Sequence, residues 1–83
     1  MAALNRTYAL AKAKGNDIAI VEAEKLTQLA DNHLYHCLLG HLYSGVDNTQ
    51  ALHHLGVALN LTKIGSEKKQ IEKNIMAIKQ LID

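Results

Sequence analysis

Not one proline interrupts the 83 residues, and short clusters of Gly, Asn, Asp and Ser recur along the chain at near-even intervals. Proline is the strongest helix breaker, so a chain without it keeps every long segment open to helix. The clusters are Gly15-Asn16-Asp17, Asp31-Asn32, Ser44-Gly45-Val46-Asp47-Asn48 and Lys63-Ile64-Gly65-Ser66. Gly and Asn suit the left-handed position past a helix end, and Asn, Asp and Ser suit N-caps. Between the clusters the spacing predicts helices near 2–14, 17–30, 33–44, 48–62 and 67–82. Phe and Trp are also absent while Ala and Leu abound, which favours helix over sheet. The reading is an all-α fold of five helices in a single domain, 1–83.

Periodicity agrees with each segment. Ile71, Ile75, Ile78 and Ile82 fall at i, i+4, i+7 and i+11, with Lys68, Lys69, Glu72, Lys73 and Lys79 mostly off that stripe. Ala51, Leu55, Ala58 and Thr62 share a face of the fourth segment, and Ala19, Ala23, Leu26 and Ala30 one of the second. Small residues in such stripes let neighbouring helices approach closely. In the first segment Leu4, Tyr8, Leu10 and several alanines spread around most of the circumference. Two explanations stand side by side: either the chain is a C-terminal fragment whose first helix seeks an upstream neighbour, or alanine serves there as a neutral helix former.

Composition bounds function more by exclusion. Nine basic and eight acidic side chains leave a formal net charge of +1, without the one-sided field of a nucleic-acid or membrane-surface binder. A single cysteine excludes an internal disulfide framework and a tetracysteine zinc site. No apolar run approaches the roughly 20 residues of a membrane span, and the N-terminus lacks the layout of a signal peptide. The expectation is a cytoplasmic domain. No phosphate loop, GxGxxG or paired-carboxylate pattern is present, so neither a cofactor nor catalysis is expected.

An internal repeat is visible. Ala19-x3-Ala23-x2-Leu26 matches Ala51-x3-Leu55-x2-Ala58, 32 residues apart. Before the second copy stands Leu39-Gly40-His41-Leu42-Tyr43. This resembles the tetratricopeptide (TPR) pattern of Leu-Gly-x-x-Tyr followed by Ala-x3-apolar-x2-Ala. It departs from that pattern in having His36 in place of a Trp, a turn about one residue short, and no closing Pro. The expected architecture is two TPR-like antiparallel hairpins plus a C-terminal capping helix, because one hairpin cannot bury its own apolar face.

The order of motifs extends the resemblance. Ala3-Leu4-Asn5-Arg6 opens a helix, followed by Gly15-Asn16, an Ala-rich helix, His33-Leu34-Tyr35-His36, a helix, a Gly-containing turn and Ala51 to Leu61. The end reads Ser66-Glu67-Lys68-x-x-Ile71-Glu72-Lys73. This succession is similar, over nearly the whole chain, to the TPR-like C-terminal extension of extracytoplasmic-function (ECF) RNA polymerase sigma factors. His53, His54 and Leu55 depart from it, standing where alanines and an aromatic are common. The resemblance implies a regulatory, non-catalytic protein-interaction domain. Its partner would be upstream sigma-factor domains or RNA polymerase, with no direct nucleic-acid or membrane contact.

If the hairpins stack, the first helix of each lines a concave face. That face would carry Asn5, Tyr8 and Lys12, then Leu34, His41 and Cys37, then Asn74. Amide, phenol, imidazole and amine groups around a tyrosine anchor suit recognition of a protein surface. Two other readings compete. Five histidines and Cys37 suggest a metal- or small-ligand sensor using His36, Cys37 and His41. However, His33, Cys37 and His41 at i, i+4 and i+8 span about 12 Å, too far for one ion without outside ligands. A first helix apolar on several sides also suits a homodimer. Tyr8, Tyr35 and Tyr43 are expected in the core or between hairpins, with the Tyr43 hydroxyl at solvent or on a backbone acceptor. The sequons Asn5-Arg6-Thr7 and Asn60-Leu61-Thr62 fall inside expected helices and are read as chance.

Overall fold

A computed structural model describes residues 2–82 and places five α-helices in them: α1 (Ala2–Lys14), α2 (Asn16–Glu24), α3 (His33–Tyr43), α4 (Asn48–Leu61) and α5 (Gly65–Ile82). No strand occurs among the described residues, so the fold class is all-α as expected. No helix among them is long and apolar enough to cross a membrane. The molecule measures 29 × 27 × 17 Å, flatter in one direction than in the other two.

The ends of the helices follow from their local chemistry. Gly15 alone joins α1 to α2, at φ +97°, a conformation that costs a side-chain-bearing residue steric energy. α3 begins at Asn32, whose side chain accepts from the Leu34 N–H at 2.9 Å. It ends in a turn through Gly45 at φ +86°, where the Val46 and Asp47 N–H groups both reach the Tyr43 carbonyl at 2.8 Å. Asp47 then caps α4 by accepting from the Gln50 N–H at 3.2 Å. Asp47→Ala is expected to cost about 1 kcal/mol and Asp47→Asn much less, because only the former removes the acceptor. Urea unfolding of the two variants measures this; equal losses would show that the cap contributes nothing.

One boundary differs from the sequence reading. The second helix does not run to residue 30; it stops at Glu24, and Thr27–Leu29 forms a single 3-10 turn. A three-residue period aligns i with i+3. Leu26, at the N-cap of the turn, and Leu29, within it, both pack on the core, as i and i+3 neighbours do in either kind of helix. Ala30, placed by periodicity on the buried stripe, is exposed instead.

Consecutive helices turn back on one another. α3 packs most extensively on α4, α1 on α2 and α5 on α4, while α3 also meets both α2 and α1. Two apolar cores result. The first joins Leu4, Ala19, Ile20, Ala23, Tyr35, Leu38, Leu39 and Leu42; the second joins Ala51, Leu55, Ala58, Ile71 and Ile78. The first two positions of the repeated stripes are buried alike, Ala19 with Ala51 and Ala23 with Leu55, but the third is not: Ala58 is wholly inaccessible in α4, while Leu26 is partly buried and lies beyond the end of α2. Where α3 carries Gly40, Leu55 of α4 fills the space a side chain would take. α1 uses one face only: Leu4 and Thr7 are buried, Leu10 and Ala11 partly so, and Ala9 and Ala13 are exposed. Ala11 packs on the first core, and the exposed Ala9 and Ala13 contribute helix propensity.

Candidate functional site

α1, α3 and α5 share one side of the molecule, and the residues expected on a common wall lie there. Leu4, Asn5 and Tyr8 of α1 face Leu34, Cys37, Leu38 and His41 of α3 across a groove of about 330 Å³. The wall continues toward α5 through two smaller hollows. One of about 220 Å³ is bounded by His33, Leu34, Cys37, Glu67, Gln70, Ile71 and Asn74; the other, of about 180 Å³, reaches from Cys37 and His41 to Asn74, Ala77 and Ile78.

The side chains have defined partners. The rings of Tyr8 and His41 stack with centroids 5.3 Å apart and an interplanar angle of 14°. Lys12 Nζ lies 5.3 Å from the centroid of the same tyrosine, within cation–π reach. Tyr8 is 42% exposed and Leu34 46%, so two large apolar groups face solvent on a groove that polar groups flank. Tyr8 is thus on the surface, correcting its placement with Tyr35 and Tyr43 among core or hairpin-packing residues. Across the wall, Gln70 Nε2 donates to Asn74 Oδ1 at 3.3 Å. Glu67 Oε2 accepts from Thr62 Oγ1 at 2.8 Å. His33 Nε2 approaches the same oxygen at 2.8 Å, but outside the direction of a hydrogen bond, so that contact is electrostatic when the ring is charged.

Cys37 occupies the centre of this wall, bordering all three hollows. Burial first, and Glu67 second, push its thiol upward, so it stays protonated at neutral pH and is a weak nucleophile. His36, next to it in sequence, faces the opposite way, toward α4, where its Nδ1 lies 3.1 Å from His54 Nδ1. The trio of His36, Cys37 and His41 is therefore divided between two faces of α3. Among the described residues no three His, Cys, Asp or Glu side chains are grouped so as to hold a metal ion.

A second cluster was not foreseen from the sequence. His36 Nε2 lies 2.6 Å from the Ala30 carbonyl, His54 stacks on His36 (5.3 Å, 23°), and Tyr43 stacks on His54 (5.7 Å, 5°). The Tyr43 hydroxyl lies at the exposed edge and donates to the Glu24 carboxylate of α2, a side-chain acceptor that was not foreseen. That bond, followed by burial and the charge of Glu24, pushes the Tyr43 phenol up to about 12. The signal available in the sequence was that His36 and His54 both depart from the repeat pattern: two departures in one hairpin sit against each other.

Compared with protein-family models, curated proteins and solved structures, the chain matches none.

Proposed function

We propose that this chain is a non-catalytic protein-interaction module and that the wall formed by α1, α3 and α5 is its contact surface. The observation that carries this reading is the groove in which Tyr8 and Leu34 stand exposed together, flanked by Asn5, Lys12 and His41. Exposed apolar anchors inside a polar rim are the usual makeup of an interface hot spot. Asn74 extends the polar rim onto α5. The Tyr8–His41 stack restrains the ring before a partner arrives, which lowers the ordering cost of binding.

The context proposed for the module rests on the resemblance of its motif order to ECF sigma-factor extensions. The helix pairs α1–α2 and α3–α4 would be TPR-like hairpins with α5 as cap. The partner would be the sigma-factor domains that precede such an extension, or RNA polymerase, in the cytoplasm. Several features are compatible with this reading: Gly40 lets α3 close on α4, Tyr43 packs on α4 through His54, and the alanine stripes are buried.

The test is titration of the isotopically labelled chain with those sigma-factor domains and, separately, with core RNA polymerase, followed by NMR. Binding is expected to perturb Tyr8, Leu34, His41 and Asn74, and Tyr8→Ala is expected to weaken affinity at least tenfold, with little change in melting midpoint. Perturbations confined to the outer faces of α2 and α4 would overturn the assignment of the surface. An absence of any binding would overturn the sigma-factor context.

A further inference from the structure

The histidine cluster lies away from the proposed contact surface, and it spans the place where the two helix pairs meet. Its proton positions follow from its geometry. The Ala30 carbonyl can only accept, so the His36 nitrogen 2.6 Å away must carry the hydrogen. In neutral His36 the other nitrogen, Nδ1, is then a bare acceptor. His54 Nδ1, 3.1 Å from it, must be the donor. The bridge between α3 and α4 is therefore one proton on His54 aimed at one lone pair on His36.

We infer that the His36–His54 pair is an acid-sensitive joint between α3 and α4, accepting one extra proton and giving way to two. One extra proton, placed on His54 Nε2, leaves the bridge intact. A second must enter at His36 Nδ1, the only vacant ring position, where it meets the His54 N–H head on. The two rings then carry like charges at stacking distance. What they hold together is specific. His36 fixes the Ala30 carbonyl in the connector after α2, and His54 lies between His36 and the Tyr43 ring that holds Glu24 at the end of α2. Loss of the pair removes the polar link from α4 to this cluster, while the contacts of α3 with Ala30 and Glu24 and the apolar core still hold α2.

The surroundings favour the neutral pair. From α3, His54 faces His36 and Tyr43, with Tyr35 edge-on to His36; from α2 it faces Glu24; on its own helix it faces His53. α5 covers another side of α4 through Ile71 and Ile78. Burial, then His36, then His53 lower the His54 pKa, and Glu24 alone opposes them. Because the folded value lies below the unfolded one, near 6.5, this contribution to stability is complete above that pH. It is lost progressively as the pH falls from there toward the folded value.

A pH series on the intact chain, read by histidine 15N–1H NMR and by circular-dichroism melting, tests the joint. At pH 7.5 the hydrogen of neutral His36 is expected on Nε2. Between pH 7.5 and 5.0 the melting midpoint is expected to fall by about 5 °C or more, the shift that a roughly tenfold change in the unfolding constant produces. His54→Gln, which removes the titrating ring, should lose at least half of that fall; His41→Gln, on the exposed wall, should keep it. An equal acid slope in wild type and His54→Gln would overturn the joint. Should His54→Gln fail to fold, the wild type still decides: His36 carrying its hydrogen on Nδ1 at pH 7.5 overturns the bridge.

Discussion

Leu42→Ala is expected to remove about 3 kcal/mol of folding stability, within the range of about 2–5 kcal/mol for truncating a buried leucine. Leu42 has no accessible surface and belongs to the first core beside Leu38 and Leu39. The lost methyl groups forfeit their transfer energy, and the closely packed helices around them collapse only partly into the space. A domain of this size holds on the order of 4–12 kcal/mol in all, so the variant forfeits a quarter or more of it. At roughly 4–8 °C per kcal/mol, the melting midpoint should fall by about 12–24 °C. Leu81→Ala, at a site 68% exposed, should change stability by less than about 0.5 kcal/mol. Urea unfolding of both variants gives the comparison, and similar losses at the two sites would contradict the placement of the core.

Gly40→Ala should also destabilise the chain, although alanine is the better helix former. A Cβ at Gly40 would meet Leu55 Cγ at 2.6 Å and Cδ2 at 2.7 Å, with the Ala51 carbonyl oxygen at 3.4 Å. Cγ is a branch point of a side chain that is 2% exposed, so Leu55 has little room to turn away. Overpacking of this kind costs about 1–3 kcal/mol, against a gain of up to about 1 kcal/mol from helix propensity. A net loss of about 1–2 kcal/mol is expected. Leu55→Ala opens the space that the new methyl needs. The double variant Gly40→Ala/Leu55→Ala should therefore be more stable than the sum of the single losses by at least about 0.5 kcal/mol. Strict additivity would mean that the two helices do not approach closely at this point.

The parts of the fold legible in the sequence are those that depend on nearest neighbours along the chain. The Gly45 and Asp47 signals bracket the α3–α4 turn because positive φ and a side-chain cap are local requirements. The alanine stripes mark buried faces because period alone puts Ala51, Leu55 and Ala58 on one side. The end of α2 is hidden because no Gly or Pro marks it, and Leu26 and Leu29 keep the i, i+3 spacing of a helix face across the 3-10 turn. The wall carrying Asn5, Tyr8, Leu34, His41 and Asn74 could be anticipated from hairpin order together with helical period. The contacts Tyr43–Glu24, His36–His54 and His33–Glu67 join residues 18 to 34 positions apart, and no spacing rule announces such pairs.

The partition of the interior into two cores gives α3 an unusual position. Tyr35, Leu38, Leu39 and Leu42 belong to one core, while Cys37 and Tyr43 lean on the other, and Tyr43 packs against both. α3 is in effect a party wall, shared by two rooms. A helix shared in this way couples the two rooms, so a loss of its packing is expected to be felt in both clusters, although those clusters are separate.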